Sequence, residues 1–557
     1  MDFSAVRRDR VAMHPSYAHG ADARRLLSRT IGDDLDATVA RHGARDALVV
    51  RHQGVRLTYA ELGAEVDRTA RALIAAGLRH GDRLGIWSPN CAEWVLVQYA
   101  SAKVGVILVN LNPAYRTSEL EYALNHSGCR MLVAARAFKT SDYVAMIAEV
   151  QPRCPKLERV VVLDTGDWDE LLAGADAVDA AQLAERQAAT AFDDAINIQY
   201  TSGTTGAPKG ATLSHHNILN NGYFVAEGCG YSEADRVCIP VPYYHCFGMV
   251  MGNLGCTTHG ACMVVPAPAF EAEATLQAVE DERCTSLYGV PTMFIAELEH
   301  PRFDEFDLGT LRTGIMAGSP CPVEVMRRVI DRMHMGEVTI CYGMTETSPV
   351  STQTSRDDEL ERRVATVGRV HPHVEIKIVE PGTTRIVDAG EQGELCTRGY
   401  SVMLGYWDDP ERTAEAIDAA RWMHTGDLAT MDEQGYVKIT GRIKDMIIRG
   451  GENVYPREVE EFLYGHEDVA DVQVVGVPDA RYGEELMAWV RLRDGATCTE
   501  DDLRAYCEGR IAHFKRPRYW KFVDDFPMTV TGKVQKFVMR EQAIEELGLA
   551  AEIHTTA

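Results

Sequence analysis

The sequence predicts an α/β fold with a large N-terminal domain of parallel and mixed sheets with flanking helices, followed by a small C-terminal α+β domain. The chain has 557 residues, several times the usual size of one domain. Helical and strand patterns alternate through its first half, which is typical of parallel sheets with helices on both faces. A new β pattern at 469–477 follows the strand-like run YVKIT and the segment 441–445. We therefore predict one domain over 1–442 and a second over 443–557.

The predicted elements of the first half follow from hydrophobic periodicity. Apolar residues recur at helical spacing from Thr58 to a glycine stop at Gly77, which predicts a helix. An Ala- and Asp-rich segment, 164–190, is predicted to be a surface connection. The other predicted elements are strands at 83–87, 106–111, 130–134 and 195–200, and helices at 92–104 and around 120–125.

Composition excludes several classes of protein. Hydrophobic residues make up 46% of the chain and charged residues 25%, as in an ordinary globular enzyme and unlike a disordered or collagen-like chain. With 57 basic and 82 acidic residues the net charge is −25, which repels nucleic acid and anionic membranes. An anionic ligand must therefore be held by a local basic site.

The distribution of cysteines and apolar residues predicts a cytoplasmic protein. Fourteen cysteines are scattered without a Cys-x-x-Cys pair, which is typical of reduced, buried thiols. The N-terminus lacks an apolar core of signal-peptide length. Residues 237–270 carry no Asp, Glu, Lys or Arg but contain four prolines and two histidines. Because a spanning helix should be predominantly apolar, we interpret this segment as buried protein interior.

A loop rich in hydroxyl groups follows the predicted strand at 195–200. Residues 200–210 read YTSGTTGAPKG, and their glycines, hydroxyls and one lysine suit a triphosphate. A Walker A loop requires Gly-Lys-Ser/Thr, whereas Pro208 precedes Lys209 and Gly210 follows it. The P-loop pattern is therefore excluded.

At this string the sequence resembles the adenylate-forming superfamily, which includes acyl-CoA synthetases, firefly luciferase and nonribosomal-peptide adenylation domains. The resemblance covers nearly the whole chain, and the motifs occur in family order. They are an aromatic-histidine motif at 242–248 (PYYHCFG), adenine and magnesium segments at 316–320 (MAGSP) and 341–346 (CYGMTE), a ribose segment at 424–428 (HTGDL), a hinge at 441–445 (GRIKD), a thioester segment at 450–456 (GGENVYP) and a terminal lysine motif at 527–533 (PMTVTGK).

The resemblance implies a set of site residues. Lys533, Thr345, Glu346 and His245 are implied as catalytic, with Glu346 also as the Mg²⁺ ligand. The implied residues for ATP and coenzyme A are Thr201, Ser202, Gly203, Thr204, Thr205, Gly206, Lys209, Gly318, Ser319, Tyr342, Asp427, Arg442, Lys444, Gly450 and Gly451.

Several of these residue types suit the implied chemistry, although each also has a plainer interpretation. Asp427 can accept two hydrogen bonds from a ribose diol, or it is a turn aspartate. Glu346 offers the hard oxygen that Mg²⁺ prefers, and Thr345 beside it can bond a phosphate oxygen. The plainer interpretation is that the two residues begin a helix. Tyr342 can stack on adenine or simply pack.

The cations and the histidine carry similar alternatives. Lys533 would bridge the carboxylate and the α-phosphate, where negative charge builds during in-line attack, or it is a solvated turn lysine. It lies in a segment, 510–540, that contains eight basic and two acidic residues. Arg442 is the second predicted cation. His245 is either a core residue or the wall between the acyl carbonyl and the thiol, without being assigned as general base.

The resemblance implies a ligase with two half-reactions in one site. Acid and MgATP give acyl-AMP and pyrophosphate, after which the mobile C-terminal domain turns about Lys444 and CoA takes the acyl group. The pattern is most similar to the medium-chain fatty acyl-CoA synthetase branch. An aryl-CoA ligase, transfer to a carrier-protein thiol and a non-catalytic sensor remain alternatives. The resemblance is also compatible with a homodimer and with a lysine acetyltransferase or deacetylase acting on Lys533.

Chain-length selection is the least specified property. Gly248, Gly252, Gly255 and His259 would share one face of an α-helix. This glycine face either leaves an apolar slot for the acyl chain or permits close helix packing.

Overall fold

The computed structural model describes residues 14–201, 208–319, 321–450, 452–529 and 533–549. The chain divides into two compact units. The larger consists of His19–Ile376 and Thr397–Met423, and the smaller of Met1–Ala18, Lys377–Cys396 and His424–Ala557. Because residues 424–442 group with the C-terminal residues, the domain boundary between 442 and 443 stays a prediction.

The described residues contain short strands throughout the chain. In order they are β1 Tyr17–His19, β2 Asp46–Val50, β3 Val55–Thr58, β4 Arg83–Trp87, β5 Ile107–Asn110, β6 Met131–Ala134, β7 Ala137–Phe138, β8 Ser141–Asp142, β9 Arg159–Val162, β10 Ala195–Thr201, β11 Lys209–Ser214, β12 Arg236–Cys238, β13 Cys262–Val265, β14 Ser286–Gly289, β15 Thr313–Ala317, β16 Glu337–Gly343, β17 Val350–Gln353, β18 Arg369–Val370, β19 Val374–Val379, β20 Gly393–Gly399, β21 Gly405–Tyr406, β22 Met423–Met431, β23 Val437–Arg442, β24 Ile447–Arg449, β25 Glu452–Val454, β26 Val469–Asp479, β27 Gly483–Leu492 and β28 Tyr519–Phe522.

Helices alternate with these strands. The α-helices are α1 Ile31–His42, α2 Tyr59–Ala75, α3 Ala92–Lys103, α4 Thr117–Ser127, α5 Tyr143–Val150, α6 Gly166–Ala173, α7 Ala180–Ala188, α8 His215–Cys229, α9 Gly255–His259, α10 Ala272–Asp281, α11 Pro291–Leu298, α12 Val323–Arg332, α13 Leu360–Ala365, α14 Pro410–Ala416, α15 Pro456–Tyr464, α16 Glu500–Cys507 and α17 Lys536–Glu546. A π-helix spans Phe247–Leu254. No helix within the described ranges is both long and apolar enough to cross a bilayer.

Two large mixed sheets form the framework of the larger unit. The seven-stranded sheet has the order β21-β11-β10-β5-β4-β6-β9, and the nine-stranded sheet the order β18-β17-β16-β15-β14-β12-β13-β2-β3. Neighbours from β10 to β9 and from β16 to β2 are parallel, whereas the remaining pairs are antiparallel. This arrangement confirms the predicted α/β class.

Burial of both faces of the sheet explains why these strands are almost entirely apolar. Leu48 and Val50 belong to a cluster that also contains residues of the seven-stranded sheet and of α2, α3 and α8. Val49, between them, packs with residues of α10, α11 and α12. Because successive side chains point to opposite faces, helices on both faces require apolar residues at every position.

The smaller unit contains the C-terminal strands and helices. Strands β24 to β27 form a sheet of order β25-β24-β27-β26, with β28 paired to β27. Helix α15 and helix α16 pack on residues of this sheet in one cluster, and α17 packs on β26 and β27 in another. The C-terminal α+β prediction is confirmed. Most residues of a further sheet, β1-β19-β20-β22-β23, also belong to this unit.

Local sequence signals account for many of the boundaries. Helix α2 begins where the Thr58 side chain accepts from the backbone N–H of Glu61 and the Glu61 side chain accepts from that of Thr58, which is a capping box. The predicted surface connection at 164–190 is largely exposed and contains two helices, α6 and α7, that were not predicted. Its alanines favour helix, and the side chains of Thr165 and Asp179 cap the two helices.

The uncharged segment and the cysteines behave as predicted. Residues 237–265 are almost completely buried. No disulfide joins any two of the fourteen cysteines, and thirteen of them are buried, with Cys321 at intermediate exposure.

Candidate active site

The predicted phosphate loop joins the two strands of a hairpin. Strands β10 and β11 pair antiparallel, and their last pair is Thr201 with Lys209. A Cβ on Gly210 would lie 3.0 Å from Ile198 Cγ2, so a larger residue would have to displace that side chain. The Gly210 carbonyl accepts from the Trp407 N–H at 2.7 Å. Five predicted ligands, Ser202, Gly203, Thr204, Thr205 and Gly206, lie outside the described residues. The structure therefore fixes the two ends from which this loop departs.

The predicted Mg²⁺ ligand is a buried carboxylate beside this hairpin. Glu346 and Thr345 form a 3₁₀ turn after β16 and are only 5% and 8% exposed. The Tyr406 hydroxyl donates to Glu346 Oε1 at 2.9 Å, and the Thr201 hydroxyl lies 3.4 Å from the same oxygen. Both bonds hold one carboxylate oxygen in place. An oriented oxygen ligand of this kind fits a hard cation such as Mg²⁺.

Tyr406 is a site residue that the sequence analysis missed. It stands on β21, which pairs with β11, and the Lys209 ammonium lies 4.9 Å from the centre of its ring. Burial, with the neighbouring Glu346 charge as the next cause, raises the pKa of the Tyr406 phenol. The phenol therefore stays a hydrogen-bond donor. Its only sequence signal is an aromatic residue, 60 positions from Glu346, in a short strand.

The predicted adenine residues stand at the ends of two neighbouring strands. Strands β15 and β16 are parallel, with Ala317 opposite Cys341, so Gly318 and Tyr342 come next at the same edge of the sheet. Gly318 has φ of +91°, a conformation that favours glycine. Ser319 follows it and Tyr342 is partly exposed. The carboxyl edge of a parallel sheet is where open α/β folds bind ligands.

The predicted ribose ligand Asp427 pairs with the predicted cation Arg442 in the smaller unit. Asp427 lies opposite Arg442 in the antiparallel pair of β22 and β23, and Arg442 Nε donates to Asp427 Oδ1 at 3.1 Å. The Asp427 side chain is 14% exposed and that of Arg442 52%. A carboxylate oriented by a guanidinium is suited to accept hydroxyl donors.

The segment before Asp427 is tied to β20 by polar contacts. The Gly426 N–H donates to Glu394 Oε1 at 3.1 Å, and the Thr425 hydroxyl donates to the Leu395 carbonyl at 2.7 Å. Hydrogen bonds with Cys396 and with Glu394 raise the pKa of His424 to about 10. The backbone that carries Asp427 is therefore fixed by its neighbours.

His245 lies two residues before the first residue of the π-helix, Phe247, and has a defined tautomer. Its Nδ1 accepts from the Phe247 N–H at 3.1 Å, so the neutral ring carries its proton on Nε2. Its carbonyl accepts from the N–H groups of Gly248 and Met249. Single π turns are frequent at functional sites.

The glycine face does not form an apolar slot. A Cβ on Gly248 would lie 2.4 Å from the Pro242 carbonyl oxygen, and one on Gly252 would lie 3.0 Å from Ile239 Cδ1. Around Gly255 the nearest atoms are at ordinary contact distance, 3.4 Å. Because residues 247–254 form a π-helix, the spacing of an α-helical face does not apply. Close packing is the correct alternative.

The remaining predicted residues belong to the smaller unit. Lys444 is exposed in the 3₁₀ turn Ile443–Asp445. Gly450 has φ of +61°, and its N–H donates to the Tyr482 carbonyl at 2.7 Å, while Gly451 lies outside the described residues. The Thr529 N–H donates to the Lys533 carbonyl at 2.7 Å.

The structure thus brings the predicted residues together in groups. Thr201, Lys209, Thr345 and Glu346 form one group, Gly318 and Tyr342 a second, and Asp427 with Arg442 a third. The roles of these residues stay predictions.

Two family models and several curated proteins match most of this chain. The AMP-binding enzyme model matches residues 35–407, and the AMP-binding enzyme C-terminal domain model matches residues 458–533. YngI of Bacillus subtilis (strain 168), which carries the name of an acyl-CoA synthetase, is 50% identical over 94% of this chain and 99% of its own. The mitochondrial medium-chain acyl-CoA ligase ACSF2 of Danio rerio is 47% identical over 96% of this chain and 91% of its own.

Solved structures extend the likeness to the whole fold. A crystal structure of the anthranilate CoA ligase AuaEII with anthranoyl-AMP has a TM-score of 0.84 and 26% identity, covering 94% of this chain and 98% of that one. ATP-bound MatB from Rhodopseudomonas palustris has a TM-score of 0.80 and 29% identity, covering 94% of this chain and 100% of that one.

Proposed function

We propose that this chain, which belongs to the AMP-binding enzyme family, is an ATP-dependent acid:CoA ligase that activates a medium-chain fatty acid. The reaction would form an acyl-adenylate with release of pyrophosphate, and then acyl-CoA with release of AMP. The observation that carries the proposal is the buried Glu346 carboxylate, held by Tyr406 at the hairpin that bears the phosphate loop. The names of the relatives at 47–50% identity support the acid and thiol substrates.

In the first half-reaction a carboxylate oxygen of the acid attacks the α-phosphorus, and the bond to the pyrophosphate oxygen breaks. We assign Thr201, Lys209 and Thr345 to the phosphates, together with the loop residues 202–206. Glu346 would hold Mg²⁺, which neutralises phosphate charge when bound. Lys533 would stabilise the charge that builds between the two anions.

The nucleoside would be held by the other two groups. We assign Gly318, Ser319 and Tyr342 to the adenine, and Asp427 with Arg442 to the ribose. The Asp427 carboxylate is suited to a diol because it can accept two hydroxyl donors.

In the second half-reaction the CoA sulfur attacks the acyl carbonyl, and the bond to the AMP oxygen breaks. We propose that 443–557 turns about Lys444 between the steps, bringing Gly450 and Gly451 to the pantetheine, with His245 walling the acyl site. Lys444→Pro fixes φ near −65° and removes a backbone donor, so thioester formation should fall more than adenylation. Equal losses in the two half-reactions would contradict the hinge.

Product analysis over a panel of acids tests the ligase proposal. Aliphatic acids from C2 to C18 and aryl acids are incubated with MgATP, with and without CoA, and the nucleotide and acyl products are separated. We expect AMP, pyrophosphate and acyl-CoA, with a maximum at medium chain length. ADP and phosphate would contradict the mechanism, and a maximum at an aryl acid would favour an aryl-CoA ligase.

Glu346→Gln supplies the matched test of the site. The change removes the charge and keeps the volume, and pyrophosphate release should fall by about two orders of magnitude or more. Glu297→Gln is the control, because Glu297 is equally buried but lies in α11, outside the proposed site. Equal activities of the two variants would contradict the role of Glu346.

Location and regulation complete the proposal. A cytoplasmic location is supported by fourteen cysteines that form no disulfide with one another, as expected in a reducing compartment, and cell fractionation tests it. A homodimer and acetylation of Lys533, which would remove its charge, are tested by light scattering and by mass spectrometry of the purified protein.

A further inference from the structure

Three side chains with metal-binding atoms converge on one face of the sheet in the smaller unit. Glu394 and Cys396 are two positions apart on β20, so they point to the same face, and His424 stands on the neighbouring strand β22. His424 Nδ1 lies 2.9 Å from Glu394 Oε2 and 3.5 Å from Cys396 Sγ. One ligand atom from each of the three residues lies within 4.8 Å of the other two.

The spacing of these atoms is close to that around tetrahedral zinc. Bonds of about 2.0–2.1 Å to nitrogen, 2.3 Å to sulfur and 2.0–2.2 Å to oxygen place nitrogen about 3.6 Å from sulfur and about 3.4 Å from oxygen. The observed nitrogen–sulfur distance of 3.5 Å already fits. The carboxylate must withdraw by roughly half an ångström, which a small rotation of the Glu394 side chain provides.

Burial and access also suit a metal ion. Glu394 is 7% exposed and Cys396 is fully buried, whereas the His424 side chain is 25% exposed. The histidine edge therefore offers an entry path, and a water molecule can fill the fourth position. A donor set of one thiolate, one imidazole and one carboxylate favours Zn²⁺ over Mg²⁺.

We propose that Glu394, Cys396 and His424 form a binding site for Zn²⁺, or a divalent ion of the same class, separate from the Mg²⁺ site assigned to Glu346. Binding releases the thiol proton and the proton on Nδ1 to solvent, while the ion gains bonds to sulfur, nitrogen and oxygen. The competing occupant is the proton that His424 shares with Glu394. Lys377, which is buried on the adjacent strand β19, opposes the ion by its charge.

The proposed site is coupled to the nucleotide residues by a short stretch of chain. Strand β22 runs from His424 to Asp427 in three residues, and Glu394 also accepts from the Gly426 N–H. If the proposed function holds, an ion that draws Glu394 away from Gly426 should slow adenylation. The binding measurement below does not depend on that function.

A second cluster in the same unit provides the matched control. His466, Asp468 and Cys498 also lie within 4.8 Å of one another, but the His466 Nδ1 accepts from the Asp468 N–H. A ring bound to metal through Nε2 normally carries a proton on Nδ1 and donates it. That cluster is therefore unsuited to bind metal, and Cys498→Ala should change nothing.

Direct metal titration of the full chain tests the site. Apo protein prepared with a chelator is titrated with Zn²⁺ against a competing indicator, and separately with Co²⁺ while thiolate-to-cobalt absorption is recorded. We expect one tight equivalent and a thiolate band in wild type and in Cys498→Ala. Cys396→Ala and Cys396→Ser should lose the band and bind Zn²⁺ at least about 100-fold more weakly.

Further readouts separate folding and activity from metal binding. Thermal unfolding without metal confirms that the Cys396 variants fold, and pyrophosphate release without Zn²⁺ should match wild type. Equal Zn²⁺ affinity in wild type and Cys396→Ala, or a thiolate band that only Cys498→Ala removes, would overturn the proposal. A chain that binds Zn²⁺ as expected but releases no pyrophosphate would refute the proposed function and leave the metal site intact.

Discussion

Removal of one hydroxyl group, in Tyr406→Phe, tests how the proposed cation site is held. The Tyr406 hydroxyl donates to Glu346 Oε1 at 2.9 Å in buried surroundings. A hydrogen bond to a charged group contributes about 1.5–3 kcal/mol, which corresponds to roughly a 10- to 150-fold change in an equilibrium constant. Loss of a group that orients a metal ligand lowers metal affinity by about 10- to 100-fold. The Mg²⁺ concentration for half-maximal activity should therefore rise about 10- to 100-fold.

The assay is pyrophosphate release at saturating ATP and acid, with Mg²⁺ varied over several orders of magnitude. Tyr143→Phe is the control, because its buried hydroxyl donates to the Pro113 carbonyl and to no proposed site residue. Both variants should lose comparable stability, and only Tyr406→Phe should change the Mg²⁺ dependence. A folded Tyr406→Phe enzyme with the wild-type Mg²⁺ curve would refute the role given to this hydrogen bond.

Three further changes are expected to alter stability. Burial raises the pKa of Glu297 well above its usual value. The stability that the protonated carboxyl contributes below about pH 4.5 is therefore lost as pH rises. Glu297→Gln should leave the free energy of unfolding unchanged near pH 5 and increase it at pH 8. Burial lowers the pKa of His215 to about 4, so on the order of 1 kcal/mol of stability should be lost as pH falls from 7.5 to 5.5. His215→Gln should abolish that share of the pH dependence in urea unfolding. Gly252→Val should lower the free energy of unfolding by about 1–3 kcal/mol, because the new side chain overpacks against Ile239. Gly255→Ala should lower it less in the same measurement.

Local signals in the sequence were sufficient for most elements of the framework. The strand at Arg83–Trp87 has the predicted bounds, because an apolar run between turn residues has few other structures. The helix that begins after Thr58 is set by its capping box. The two short helices within 164–190 were not predicted, because an Ala-rich stretch without a wide apolar stripe gives no strong periodicity.

The site could be predicted from motifs only as far as single residues. Glu346 and Asp427 were assigned because each stands in a motif, but their hydrogen-bond partners come from other strands. Tyr406 reaches Glu346 only because β21 pairs with β11, and the order of strands is not written in a local pattern. The prediction of an apolar slot along the glycine face was wrong for a related reason. The period of a helix determines which glycines share a face, and the π-helix at Phe247–Leu254 changes that period.

Tyr406 also explains how an acidic protein can place opposite charges beside one loop. The chain carries a net charge of −25, so a cation that meets a phosphate must be fixed locally. The Tyr406 ring lies 4.9 Å from the Lys209 ammonium, while its hydroxyl bonds to Glu346. The Tyr406 side chain thus contacts both charged groups beside the hairpin. Because phenylalanine keeps the ring and loses only the hydroxyl, Tyr406→Phe should change the Mg²⁺ dependence and leave the contact with Lys209 in place.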